Sequence, residues 1–81
     1  MSILKIELKP SAERVSFSDS ELIVALLDGR TIIVPIAWFD TLSSATKEQL
    51  ADYELLGDGE GIHWPQIDED LSVKGLLIGA H

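Results

Sequence analysis

Asp28-Gly29 stands between two aliphatic, β-branched runs, Glu21-Leu22-Ile23-Val24-Ala25-Leu26-Leu27 and Arg30-Thr31-Ile32-Ile33-Val34-Pro35. This pair constrains the chain more than any other local feature. A type I′ turn needs positive φ at both central positions, which Asp and Gly tolerate, so a β-hairpin follows. A two-residue turn also sets the register: Leu27 faces Arg30, Leu26 faces Thr31, Ala25 faces Ile32, Val24 faces Ile33 and Ile23 faces Val34. One face then carries Leu22, Val24, Leu26 and Ile33; the other carries Ile23, Ala25, Leu27, Ile32 and Val34. Both are apolar, whereas a solvated antiparallel sheet shows one polar face. The expectation is cover on both sides. Two short helices supply the first, and a second copy, a partner protein or the chain's own N-terminal segment and loops supply the second.

The remaining elements assemble around this hairpin. Leu4, Ile6 and Leu8 alternate with Lys5, Glu7 and Lys9 up to Pro10, the period of a strand. Val15 and Phe17 alternate in the same way with Arg14, Ser16 and Ser18. Ile36-Ala37-Trp38-Phe39 is apolar without alternation, and residues 40–45 read as a turn or helical segment. Thr46 with Gln49 three residues on is a capping-box pattern that opens a helix from Lys47 to about Tyr53. Gly57-Asp58-Gly59-Glu60-Gly61 reads as a flexible turn, and Ile62-His63-Trp64 as a short extended segment before Pro65. Asp70 or Ser72 can cap a last helix over 73–78, closed by Gly79. The fold class is α+β, one domain over 1–81: an antiparallel sheet with a central Asp-Gly hairpin and two or so short helices.

At 81 residues, 46% hydrophobic and 25% charged, the chain is globular, yet small enough to bury only somewhat over ~60% of its unfolded surface. With no cysteine, disulfides, thiol chemistry and Cys-based zinc sites are excluded. The first residues, Met1-Ser2-Ile3-Leu4-Lys5, lack the basic and apolar regions of a signal peptide, and no apolar run reaches spanning length, so a cytoplasmic protein is expected. The net charge of −8 is lopsided: residues 48–81 hold eight acids against Lys74 alone, whereas residues 1–47 hold six acids and five bases. Such a field repels nucleic acid and attracts basic partners.

The run from Gly61 to Val73, Gly-Ile-His-Trp-Pro-Gln-Ile-Asp-Glu-Asp-Leu-Ser-Val, concentrates the candidate chemistry. Asp68, Glu69 and Asp70 are hard oxygen ligands, but Ca²⁺ needs about six oxygens converging on one point, and three consecutive side chains diverge. A solvated acidic stretch leading into the last helix explains them without a metal, so no metal and no cofactor are expected. His63 titrates near neutrality, but catalysis needs an orienting carboxylate and a nucleophile or substrate pocket, and no nucleophile-elbow pattern surrounds any serine. Gly57-x-Gly59-x-Gly61 lacks the lysine and long helix of a phosphate loop and sits among acids. Trp38 and Trp64 are heavy apolar anchors, either knitting helices to the sheet or serving as interface hot spots. No catalytic residue is assigned. The interaction candidates are Trp38, Trp64, His63, Asp68, Glu69 and Asp70.

Three stretches, Leu27-Asp28-Gly29-Arg30-Thr31-Ile32 with Val34-Pro35-Ile36-Ala37-Trp38-Phe39, Ala45-Thr46-Lys47-Glu48-Gln49, and the run 61–73 followed by Gly75-Leu76-Leu77, together resemble the small bacterial domain-of-unknown-function family 2442. The likeness covers roughly residues 20 to 79 and departs where relatives carry Pro-Arg in place of Asp40-Thr41 and Arg in place of Leu50. The resemblance implies a small α+β protein without assigned enzyme activity. It also implies that some relatives are joined to a helix-turn-helix segment and others are encoded beside a small basic protein, in what look like toxin–antitoxin pairs. With 81 residues, an added DNA-binding domain is not expected here. The expectation is a non-catalytic interaction module, homodimeric or paired with a basic protein and antitoxin-like. The alternatives are a small enzyme or metal-binding domain using His63 with Asp68 or Asp70, and an acidic DNA-mimic inhibitor.

Overall fold

The computed structural model describes residues 10–79; the expected strand around Leu4, Ile6 and Leu8 lies outside them. Among the described residues, six strands and three short helices follow one another as two antiparallel meanders, an α+β fold. The first sheet is β1 (Ala12–Phe17), β2 (Glu21–Leu26) and β3 (Thr31–Pro35), in that order. A 3₁₀ turn over Ile36–Trp38 leads to α1 (Asp40–Ser43) and α2 (Lys47–Ala51). The second sheet is β4 (Glu54–Leu56), β5 (Gly61–Trp64) and β6 (Glu69–Ser72), and α3 (Val73–Ile78) closes the order.

The hairpin at Asp28-Gly29 is present, but its turn and register differ from the type I′ expectation. Leu26 N–H donates to Arg30 O at 2.8 Å, so the loop is the three residues Leu27–Gly29. Gly29 alone takes positive φ (98°), while Asp28 stays in the ordinary region. This is the three-residue loop in which glycine supplies the left-handed residue after a tight turn. Asp28 stabilises it by accepting the Arg30 N–H (3.0 Å) and Nε–H (2.9 Å). One added loop residue slides the pairing by one: Ala25 faces Thr31, Val24 faces Ile32, Ile23 faces Ile33 and Leu22 faces Val34. Because side chains alternate, that shift changes the faces. Leu22, Val24, Leu26, Ile32 and Val34 now lie together and buried, and Ile33 moves outside.

The inner faces of both sheets meet in one core. Ala12, Val15, Leu22, Val24, Leu26, Ile32 and Val34 come from the first sheet, Ile62 and Trp64 from the second, and Phe39, Leu42, Leu50, Val73 and Leu76 from the connecting and closing helices. Trp64 is the largest fully buried side chain. Its indole N–H donates to Leu50 O (3.0 Å), and its ring meets Phe17 edge-on at 6.2 Å, so one residue ties β5 to α2 and β1.

The local caps follow the sequence. Thr46 Oγ1 accepts the Gln49 N–H (3.1 Å) while Gln49 Oε1 accepts the Thr46 N–H (2.9 Å), a complete capping box. The helix stops at Ala51 rather than near Tyr53, which instead sends its hydroxyl to accept the Val15 N–H on the edge of β1 (3.0 Å). Ser72, and not Asp70, caps α3, and Gly79 ends it in the left-handed region (φ 79°). The glycine turn is a packed joint, not a loose loop. Gly59 is buried at φ 90° with its carbonyl accepting the Ala12 N–H (2.7 Å), and a Cβ there would lie 2.5 Å from Ala12 O. No helix among the described residues is long and apolar enough to cross a membrane.

Candidate functional site

The second sheet gathers the acids and the histidine of the run 61–73. Its inward face is apolar, with Leu55, Ile62 and Leu71 in register across the three strands. The next row along, on the opposite face, is Glu54, His63 and Asp70, one from each strand. Strand alternation points these three the same way, as it could not for consecutive acids. Residues 65–68 form the β5–β6 turn, closed by Ile67 N–H donating to Trp64 O (3.3 Å), with Asp68 in the left-handed conformation (φ 52°) that Asp tolerates. That turn is what brings His63 opposite Asp70.

His63 Nδ1 is hydrogen-bonded to Asp70 Oδ1. The bond raises the imidazole's proton affinity above its usual value; desolvation opposes it, and the charges of Asp70, Glu54 and Asp68 add to it. The pair lies on an open surface, with the Asp70 side chain 68% exposed. Such a pair can hold a proton or offer acceptors to a cation. As a general base it would need a reacting partner; Ser72, on this face of β6, caps α3 by accepting the Gly75 N–H (3.1 Å). Among the described residues, no three His, Asp or Glu side chains are grouped to hold a metal ion. A groove of about 570 Å³ runs elsewhere, between the β1 edge and α1–α2, lined by Phe17, Leu42, Leu50 and Tyr53 among others, and His63 does not line it.

The candidates named from sequence therefore separate. His63, Asp70 and Asp68 come together, joined by Glu54, which sequence reasoning missed because β4 is only three residues long. Glu69 falls opposite Trp64, one register step away, and is half-buried. Trp64 is fully buried and takes the architectural role of the two open to it. Trp38 is 46% exposed, its ring edge-on to Phe39. Gln66 donates to Asp52 Oδ2 (2.9 Å), pinning the turn to the end of α2.

Two meanders sharing one core, the second with a carboxylate-lined open face, define a small α+β domain. The chain belongs to the family described as protein of unknown function, DUF2442, whose model matches residues 12–81. It is similar to the crystal structure of a protein of unknown function from Rhodospirillum rubrum, at 36% identity and a TM-score of 0.75, covering 86% of this chain and 87% of that one. It is also similar to the solution structure of an uncharacterized protein from Chromobacterium violaceum, at 25% identity and a TM-score of 0.74, covering 86% of this chain and 66% of that one. Among curated proteins, none matches.

Proposed function

We propose that the domain acts by binding another protein and not by chemistry: a non-catalytic interaction module whose partner is a small basic protein, in the manner of an antitoxin. The observation that carries this reading is the Glu54–His63–Asp70 row, an exposed strand face with Asp68 in its bordering turn, on the half of the chain that holds eight of the fourteen acids. Carboxylates held by a sheet present acceptors in a fixed pattern, which favours arginine and lysine side chains and steers their approach. The pairing of family members with small basic proteins, implied by the resemblance, supplies the partner's class. Isothermal titration with the product of an adjoining short basic reading frame should give a 1:1 complex whose affinity falls steeply with salt. Replacing Glu54 and Asp70 together by lysine should weaken it by at least about tenfold. No binding at low salt, or a complex indifferent to both substitutions, sinks the reading.

One observation favours a second reading, a small enzyme or metal-binding domain: the Asp70 carboxylate orients the His63 ring as a base–carboxylate pair requires. That reading expects His63→Gln to abolish a measurable turnover or metal uptake while leaving partner binding intact.

A further inference from the structure

We propose that a second copy of this chain occupies the outer face of the first sheet, through a two-fold axis running across the strands along the Ser16–Ile23–Ile33 row. This rests on the interaction reading and names a surface for it that leaves the acidic face of the second sheet unused. With the observed register, the outer face carries Arg14 and Ser16 from β1, Glu21, Ile23 and Ala25 from β2, and Thr31, Ile33 and Pro35 from β3. Its centre is apolar where a solvated face would be polar, with Ile33 55% exposed and Leu27, just past the end of β2, 64% exposed.

Two observations select a second copy as the occupant. Charge is the first. Two chains of net charge −8 repel each other overall, but this face carries one arginine and one glutamate and is locally neutral. Self-complementarity is the second. Arg14 lies in the row Arg14–Ala25–Thr31 on one side of the centre, and Glu21 lies in the row Glu21–Pro35 on the other. A two-fold axis along the central row inverts the strand direction and leaves the strand order in place. It therefore stacks Ile23 and Ile33 on their own counterparts and sets each Arg14 beside the partner's Glu21, an isologous contact. Three strands ~4.8 Å apart and about six residues long give a footprint well below the ~800 Å² per partner of a standard interface. The dimer is accordingly reversible and concentration-dependent.

Sedimentation velocity of the full chain, from low micromolar to near-millimolar concentration, tests this. The wild type should pass from monomer to dimer. Ile33→Glu should weaken self-association at least about tenfold by burying two unpaired charges at the axis. Arg14→Glu should weaken it less, and adding Glu21→Arg should restore it, because the swap recreates both cross-pairs; thermal melts confirm that each variant is folded. A wild type that stays monomeric throughout, as it would if another segment of the same chain covered this face, overturns the proposal, and so does a dimer untouched by Ile33→Glu. A double variant that is not rescued removes the axis assigned here. A monomer that still binds the basic protein leaves the interaction reading standing without the dimer, while a dimer that binds no basic protein does the reverse.

Discussion

The two sheets share one plan, three antiparallel strands in sequence order, yet they are held by different means. The first has strands of five and six residues and a continuous aliphatic inner face, so many moderate contacts share its stability. The second has strands of three and four residues, too short to be stable as an isolated sheet, and leans on one large anchor and on its joints to the first. Distributed packing leaves the first sheet's outer face with an apolar centre, Ile23 and Ile33, among polar neighbours. Concentrated packing frees the second sheet's outer face to carry glutamate, histidine and aspartate. The contrast teaches that the candidate chemistry sits on the part of the molecule that depends most on a single side chain.

The largest expected effect breaks that dependence. Trp64→Ala removes the biggest buried side chain and its hydrogen bond to Leu50 O, and should cost about 3–5 kcal/mol in urea unfolding. Amides of β5 and β6 should lose exchange protection before those of β2. A cost below about 1 kcal/mol would mean that the second sheet does not hang on Trp64.

A smaller effect sharpens the account of the first sheet. In the observed register Ile32 points inward and Ile33 outward. Ile32→Ala should therefore cost about 2–4 kcal/mol, and Ile33→Ala, measured at dilute concentration, less than about 1 kcal/mol. The opposite order would restore the register of a two-residue turn.

That pair of isoleucines also marks the boundary of what sequence could reveal. Signals resolved within a few residues, the hairpin at Asp28-Gly29, the Thr46–Gln49 box, the Ser72 and Gly79 caps, appear where their local chemistry puts them. The turn type did not, because Asp-Gly serves a two-residue turn and also a three-residue loop with glycine last. Arg30, by bonding to Asp28, belongs to the loop's chemistry. The second sheet was hidden for another reason. Strand β4 offers only Glu54, Leu55 and Leu56, and β6 opens on two acids, so neither carries an alternating apolar pattern. Its existence depends on long-range burial of Ile62 and Trp64. A signal for the His63–Asp70 pair does exist. Trp64-Pro65 followed by Asp68 suits a tight reversal, and such a turn centred between Gln66 and Ile67 places residue 63 opposite residue 70.

The smallest effect compares the sheets through their charges. His63 has its proton affinity raised in the fold, first by the hydrogen bond to Asp70. The unfolded imidazole titrates near ~6.5, so this contribution is complete below that pH and is lost as pH rises through the higher folded value. Asp28 is the mirror case: its hydrogen bonds with Arg30 hold the carboxyl below its usual range. Its contribution is present above ~3.9 and disappears only as pH falls through the lower folded value. Between about pH 6 and pH 8.5 the loss of the His63–Asp70 contribution should lower the urea midpoint. His63→Gln should flatten this fall, Asp70→Asn should shrink it, and Asp28→Asn should leave it unchanged while altering the acid limb alone. Asp28 is exposed and His63 only half-buried beside the exposed Asp70, so the slope is small and salt-sensitive. A slope that survives His63→Gln would assign the proton to another group and leave the Glu54–His63–Asp70 row without a role in the fold's stability.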